Sequence, residues 1–257
     1  MMATLSRGIG EKLASFLTKS PPSYQRLDNV SLQDVASVLQ PGDIVLVEGD
    51  TRISTAIKYL TQSSWSHACL YIGQTGSAVN VPTLLEADLI DGVRIVNLDH
   101  YSGFNLRICR PIDLDSNDRQ KLIEFAKSKL GYKYDLKNIF DLVRYLIQKP
   151  MVPNRYRRAM IALGSGEPTQ AICSTLIAES FHAIDYPILP RIKLQKTLDG
   201  DIAKYYKRHF THFTPRDFDL SPYFHVIKPT IEKGFDFHKL RWKKIEVDED
   251  QPDLDNT

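Results

Sequence analysis

Cysteine is scarce in this chain. Its 257 residues include only Cys69, Cys109 and Cys173, and no CxxC pair occurs. Three cysteines cannot all pair, so neither a disulfide scaffold nor a cysteine zinc site is expected. Long hydrophobic runs are also missing. No stretch approaches the ~18 apolar residues needed to span a bilayer. The first 25 residues mix charged and apolar side chains and lack the apolar run of a signal peptide. Met2, not glycine, follows Met1, which argues against myristoylation. These absences set the expectation of a soluble, cytoplasmic protein. With 42% hydrophobic and 25% charged residues, 13 Gly and 14 Pro, the composition excludes collagen-like, low-complexity and wholly disordered chains. A chain of this length can bury a substantial core.

The net charge of +2 conceals an uneven distribution. Residues 246–257 hold six acids and no base, the pattern of a solvated, disordered tail. Residues 191–245 hold 13 Lys and Arg against 6 Asp and Glu. Such a basic region suits phosphates or anionic lipid, or a basic surface partly neutralised by the tail. No nucleic-acid motif accompanies it, so nucleic acid is not an expected partner.

The pattern of residues divides the chain into three parts. In residues 1–30, Leu5, Ile9, Leu13, Phe16 and Leu17 share a helical stripe ended by Pro21-Pro22. That stripe suits docking on the body or peripheral contact with a membrane. Residues 31–245 read as one domain with a basic C-terminal extension, and 246–257 as the acidic tail. Within the domain, Ser31 opens a short helix through Leu39, and Pro41-Gly42 stops it. DIVLVEG reads as a buried strand, Arg52 to Thr61 as a helix, and SHACLYIG as a strand ended by Gly73. TLLEAD, GVRIVNL and NLRICRP are further strands, the first two joined by a hairpin at Asp91-Gly92. Helices are expected over Asp115–Leu130, Leu136–Ile147 and QAICSTLIAESFHAI. Residues 150–168, with Arg155, Arg157 and Arg158, form a loop suited to covering a site. No repeat and no regular βαβ alternation occurs, so the fold class is α+β.

Cys173 lies in the first turn of the last of these helices, where the helix dipole and free N–H groups favour a thiolate. A nucleophilic thiolate needs a nearby base. His182 follows by nine residues and falls on the opposite helix face. His209, His212, His225 and His238 lack patterned neighbours, and two histidines three apart do not make a zinc site. His67 opens a hydrophobic strand, where an inward imidazole must be paired, and is the candidate base. Cys69 shares its strand face and is the competing nucleophile, without a helix dipole. Cys109 is a packed strand cysteine. Glu86 sits centrally in an apolar strand, and a carboxylate there calls for a partner such as His67. Asp88, on the same face, is the alternative.

These pieces, in this order, resemble a known family. PGDIVL followed by SHACLYIG is similar to the PGD…SHVGIYIG signature of the NlpC-type, papain-like cysteine peptidases. LGYKYD followed by CSTLIAESF is similar to that family's G-x-P-Y and C-S-G-L elements. The cysteine part here follows the histidine part, which resembles the circularly permuted YiiX/YaeF-like branch, with lecithin retinol acyltransferase as a distant relative. LLEA…GV and PRDFDLSPYFHVIKP are also similar to this branch. The resemblance covers residues 40–190 well and 213–229 loosely. It implies a permuted papain-like fold with an antiparallel sheet packed by helices. It further implies Cys173 as nucleophile, His67 as general base, Glu86 as the orienting residue, and Tyr134 as an aid to the oxyanion or substrate. Lys133 replaces the proline usual before that tyrosine, and Thr175 replaces a glycine, which narrows the space beside the sulfur.

The expected activity is hydrolysis of an amide in a small peptide-like, possibly cell-wall-derived, substrate through a Cys173 acyl-enzyme. No metal or organic cofactor is needed for it. Two alternatives remain open. One is a lipid acyltransferase or lipid amidase acting on an acyl substrate at a membrane surface. The other is a non-catalytic peptide- or lipid-binding module. The sequence leaves the oligomeric state open.

Overall fold

The computed structural model describes residues 30–75, 81–133, 172–197, 200–239 and 241. Residues 1–29, Tyr134, the expected helix at 136–147, the 150–168 loop and the acidic tail lie outside them.

Chain order begins with helix α1 (Leu32–Val38), strand β1 (Ile44–Val47), helix α2 (Arg52–Thr61), and strands β2 (His67–Thr75), β3 (Val81–Asp88), β4 (Gly92–Asn97) and β5 (Leu106–Pro111). Next come helices α3 (Ser116–Ser128) and α4 (Ile172–Ala183), strands β6 (Arg191–Thr197) and β7 (Gly200–Tyr206), helix α5 (Pro215–Leu220), strand β8 (Phe224–Ile227) and helix α6 (Pro229–Glu232). Six strands form one sheet in the order β4-β3-β2-β1-β5-β8, with every neighbouring pair antiparallel. Strands β6 and β7 form a separate two-stranded ribbon. The α+β expectation therefore holds.

Local chemistry explains the boundaries. Ser31 caps α1 by accepting the Asp34 N–H at 3.1 Å, and Thr51 caps α2 by accepting from Ser54. Asp115 does the same for α3 through the Asp118 N–H. A capping box of Thr214 and Asp217, with Pro215 in the first turn, starts α5. Strand β1 is apolar throughout because both its faces are covered. On one side Leu46, Leu70 and Leu85 meet Leu176, Ile177 and Phe181 of α4. On the other, Val45, Val47 and Ile108 meet Val35 of α1 and the turn containing Leu98 and Tyr101. Gly73 does not end its strand as expected. It takes φ +103°, and the β2–β3 register shifts between Tyr71 and Gly73, so β2 continues to Thr75.

The PGD segment has a structural task. Asp43, 1% exposed, receives Arg110 through Nε at 2.9 Å and Nη2 at 2.8 Å, and also the Gln40 N–H at 2.8 Å. Arg110 lies on β5, so this fork ties the entry of β1 to its neighbouring strand. The C-terminal region contributes β8, which extends the sheet beside β5. Helix α5 is anchored through Asp219, which accepts from Trp65 Nε1 at 3.2 Å and Arg107 Nη1 at 2.7 Å. Trp65 lies two residues before His67, so this contact steadies the entry to β2.

Candidate active site

His67 is the first residue of β2 and pairs with Val47 of β1. The segments that flank α2, between these strands, pack closely against each other. Gly49 donates its N–H to Ser66 Oγ at 2.9 Å, and a Cβ on Gly49 would lie 2.4 Å from Ser54 Oγ. Strands β2 and β3 pair as far as Leu70–Leu85. Beyond that point β2 continues against β1 towards His67, and β3 continues against β4 towards Asp88. His67, Ala68 and Glu86 therefore lie where the β2–β3 ladder has ended.

Cys173 meets this opening from α4, which packs on β2 and β3. Its thiol is buried, and the His67 ring and the Ala68 backbone N–H are close enough to favour its charged form. Burial raises the thiol pKa, but the charge and hydrogen bond of His67, the Ala68 N–H and Ser174 outweigh it, leaving Cys173 below its ordinary value. Burial pushes His67 down, yet the sulfurs of Cys69 and Cys173 outweigh that effect and hold it well above 6.5. Together the two shifts favour a thiolate beside an imidazolium.

Glu86 completes the arrangement. Its carboxylate is 2% exposed, with Oε2 2.8 Å from His67 Nε2 and Oε1 accepting from Arg94 Nε at 2.9 Å. Tyr101 donates its hydroxyl to Oε2. Burial raises Glu86, but His67, Tyr101 and Arg94 together hold it well below the usual carboxylate range. Asp88 is used differently, accepting the Ile90 and Asp91 N–H groups of the hairpin turn. Glu86, not Asp88, is the partner of His67.

Other sequence candidates take other places. Cys69 points the same way as His67, 3.7 Å from Glu86 Oε2 and 3.3 Å from the Tyr101 hydroxyl. Burial pushes its thiol up to about 11 and that of Cys109 up to about 12. His182 packs edge-on to Phe213, and His209 stacks on Phe210. Thr175 is buried, and its hydroxyl finds no hydrogen-bond partner.

Sequence reasoning passed over Arg94 and Tyr101. Arg94 lies directly across from Glu86 in the β3–β4 register. The expected two-residue turn at Asp91-Gly92 would have matched Ile90 with Val93 and Glu86 with Asn97; the structure instead turns at residues 89–91 and matches Asp88 with Gly92, which sets Glu86 against Arg94. Tyr101 sits in a 3-10 turn (Leu98–Tyr101) after β4 and had no local signal.

His67, Cys69 and Glu86 bring a nitrogen, a sulfur and an oxygen within 4.8 Å of one another, the one such grouping among the described residues. Both Glu86 oxygens already accept hydrogen bonds, and the Arg94 guanidinium supplies a positive charge there. A second cation at this spot would face that charge and displace those donors. The arrangement suits proton handling better than metal binding.

Comparison with known proteins bears on the same residues. Residues 38–145 match the permuted papain-like amidase family, YaeF/YiiX, C92. Those residues carry the signature of the YiiX-like permuted papain-like family. The matched stretch contains His67, Glu86, Arg94 and Tyr101, while Cys173 lies beyond it. The mixed fold of helices and antiparallel sheet agrees with the family's permuted papain-like architecture. A similar solved structure is that of the metalloprotein yiiX from Escherichia coli O157:H7. It shares 15% identity and a TM-score of 0.46 over 74% of this chain and 96% of that one. No curated protein matches the chain in sequence. The amidase family supports a function of the cysteine-hydrolase type. Among the described residues no helix is long and apolar enough to cross a membrane.

Proposed function

We propose that the chain is a cysteine amidase acting on a small peptide-like substrate, with Cys173 as nucleophile, His67 as base and Glu86 as the group that orients His67. One observation carries the reading: the Cys173 thiol, at the start of α4, lies beside a histidine that is paired with a buried carboxylate. The thiolate attacks the amide carbonyl, and His67 passes its proton to the departing amine, leaving a thioester on Cys173. Neutral His67 then takes a proton from water as the water attacks the thioester. The tetrahedral intermediate expels the Cys173 thiolate and the acid is released, while the proton taken from water stays on His67 and so restores the thiolate–imidazolium pair. The Ala68 N–H and the backbone N–H groups in the first turn of α4 are proposed as donors to the developing oxyanion. Tyr134 is proposed as a further donor.

Iodoacetamide labelling, located by mass spectrometry across a range of pH, tests the pair. Fast labelling of Cys173 near neutrality, lost in His67→Ala, is the expected result. Labelling with an ordinary thiol profile near pKa ~8.5 would refute it and favour a binding module. A screen of peptide amides against wild type and Cys173→Ala then tests turnover.

The β6–β7 ribbon favours a second reading, an acyl substrate at a lipid surface. Ile192 and Tyr205 face each other on it at 55% and 62% exposure, with Arg191, Lys193 and Lys204 nearby. Apolar and aromatic side chains among cations suit an anionic bilayer. Sedimentation with phosphatidylserine vesicles, reduced in Tyr205→Asp, would support this reading, and equal recovery without vesicles would refute it.

A further inference from the structure

The oxygen of Glu86 that meets His67 is itself held by a second donor. Tyr101 reaches Oε2 from the turn after β4, and its ring is 6% exposed. Phe104 packs edge-on against that ring at 5.9 Å, and His100 does so at 5.0 Å. The phenol therefore has little freedom to turn away. Burial, Cys69 and Glu86 raise its pKa far above the ordinary 10, so it remains a proton donor at every working pH. On the other side of the carboxylate, Arg94 holds Oε1 and is itself braced by Asp88 and Asp91.

A carboxylate restrained at both oxygens cannot rotate about its terminal bond, and that fixes the direction in which it accepts the His67 N–H. Without the phenol, Oε2 would keep only His67 and the weak Cys69 thiol at 3.7 Å. Glu86 and the imidazole could then swing together, leaving nothing to aim the ring at Cys173. We propose that Tyr101 is a positioning residue which acts through Glu86 to aim His67 at Cys173. This inference rests on the reading of Cys173, His67 and Glu86 as the reacting set.

The charged and titratable groups around Glu86 are His67 and Cys69 from β2, Arg94 from β4, Tyr101 from its turn, and Cys173 beyond His67. The test is the rate of iodoacetamide labelling at Cys173 against pH in wild type, Tyr101→Phe, Glu86→Gln and the double variant. Tyr101→Phe keeps the ring and removes only the hydroxyl. It is expected to slow labelling about tenfold at neutral pH and to move the alkaline limb, where His67 loses its proton, down towards neutrality. In the Glu86→Gln background the same change is expected to add less than twofold, because its route is already cut. A Tyr101→Phe rate within twofold of wild type, or a further tenfold loss in the double variant, would overturn the proposal. Should Tyr101→Phe fail to fold, fluorotyrosine introduced at position 101 keeps both ring and hydroxyl. It is expected to label within twofold of wild type, and a tenfold loss there would also overturn the proposal. An unactivated Cys173 in wild type would instead refute the amidase reading.

Discussion

Glu86→Gln changes almost no volume and removes one charge, yet the structure makes it costly. Arg94 Nε donates to one carboxylate oxygen, and His67 and the Tyr101 hydroxyl lie against the other. Glutamine offers one oxygen and one NH2, so either orientation sets an N–H against a donor. The ion pair with Arg94 is also lost from a carboxylate that is 2% exposed. Breaking a buried pair costs about 3–5 kcal/mol. With a urea slope of about 2 kcal/mol per M, the unfolding midpoint should fall by about 2 M. The effect carries a pH signature of defined sign. The folded carboxyl of Glu86 lies well below its unfolded value of about 4.3, so its contribution is complete above that pH and is lost as pH falls. Between pH 7 and pH 3.5 the unfolded chain takes up that proton, which removes about 1 kcal/mol from wild type and nothing from the glutamine variant. Urea titrations at both pH values should therefore show the gap between the two proteins narrowing by about that amount. A gap constant with pH, or a variant as stable as wild type, would refute the account of Glu86 as a buried, fully paired carboxylate.

Three more outcomes follow from the same geometry. Thr175→Val exchanges a buried hydroxyl without a partner for a methyl group of similar size, and should raise the urea midpoint by an amount corresponding to about 1 kcal/mol. Gly92→Ala should be destabilising by more than about 1 kcal/mol in the same assay. Gly92 has φ +77°, and a Cβ there would lie 2.3 Å from the Tyr132 carbonyl oxygen that accepts the Val93 N–H. Cys69 and Cys109, with thiols pushed up to about 11 and 12, should resist maleimide in native protein at pH 7 and react only after urea unfolding, as counted by intact-mass shifts.

The parts of this site that could be read from sequence were those fixed by local pattern. Thr51, followed by apolar residues at helical spacing, delimits α2 at Arg52 and Thr61. An acid in the middle of TLLEAD has few stable options in an apolar strand, and Glu86 takes the expected one. Arg94 was hidden by the turn, because the expected turn at Asp91-Gly92 sets Asn97 across from Glu86, and the observed register, one that pairs Asp88 with Gly92, sets Arg94 there. Tyr101 was hidden too. It reaches Glu86 through a 3-10 turn whose direction depends on packing against Phe104 and the sheet, and short-range pattern does not encode that. The C-terminal strands were obscured for a different reason. In β6 the basic residues that drew attention to charge also interrupt the apolar signal, and β8 is only four residues long.

The division of labour between the two halves of the site bears on the permuted order. His67, Glu86, Arg94 and Tyr101 all come from a run of 35 residues that folds as three successive antiparallel strands and a turn. Contacts this close in sequence close small loops, so the polar half can assemble within the sheet itself. Cys173 arrives separately on α4, more than 70 residues after Tyr101. Leu176, Ile177 and Phe181, each fully buried against the sheet, hold that helix in place. Which half comes first in the chain is then immaterial to the chemistry. The geometry at His67 depends on where the α4 start meets the end of the β2–β3 ladder, and the apolar face of α4 sets that position. A papain-like arrangement can therefore be permuted while its sheet, helix and docking surface stay the same.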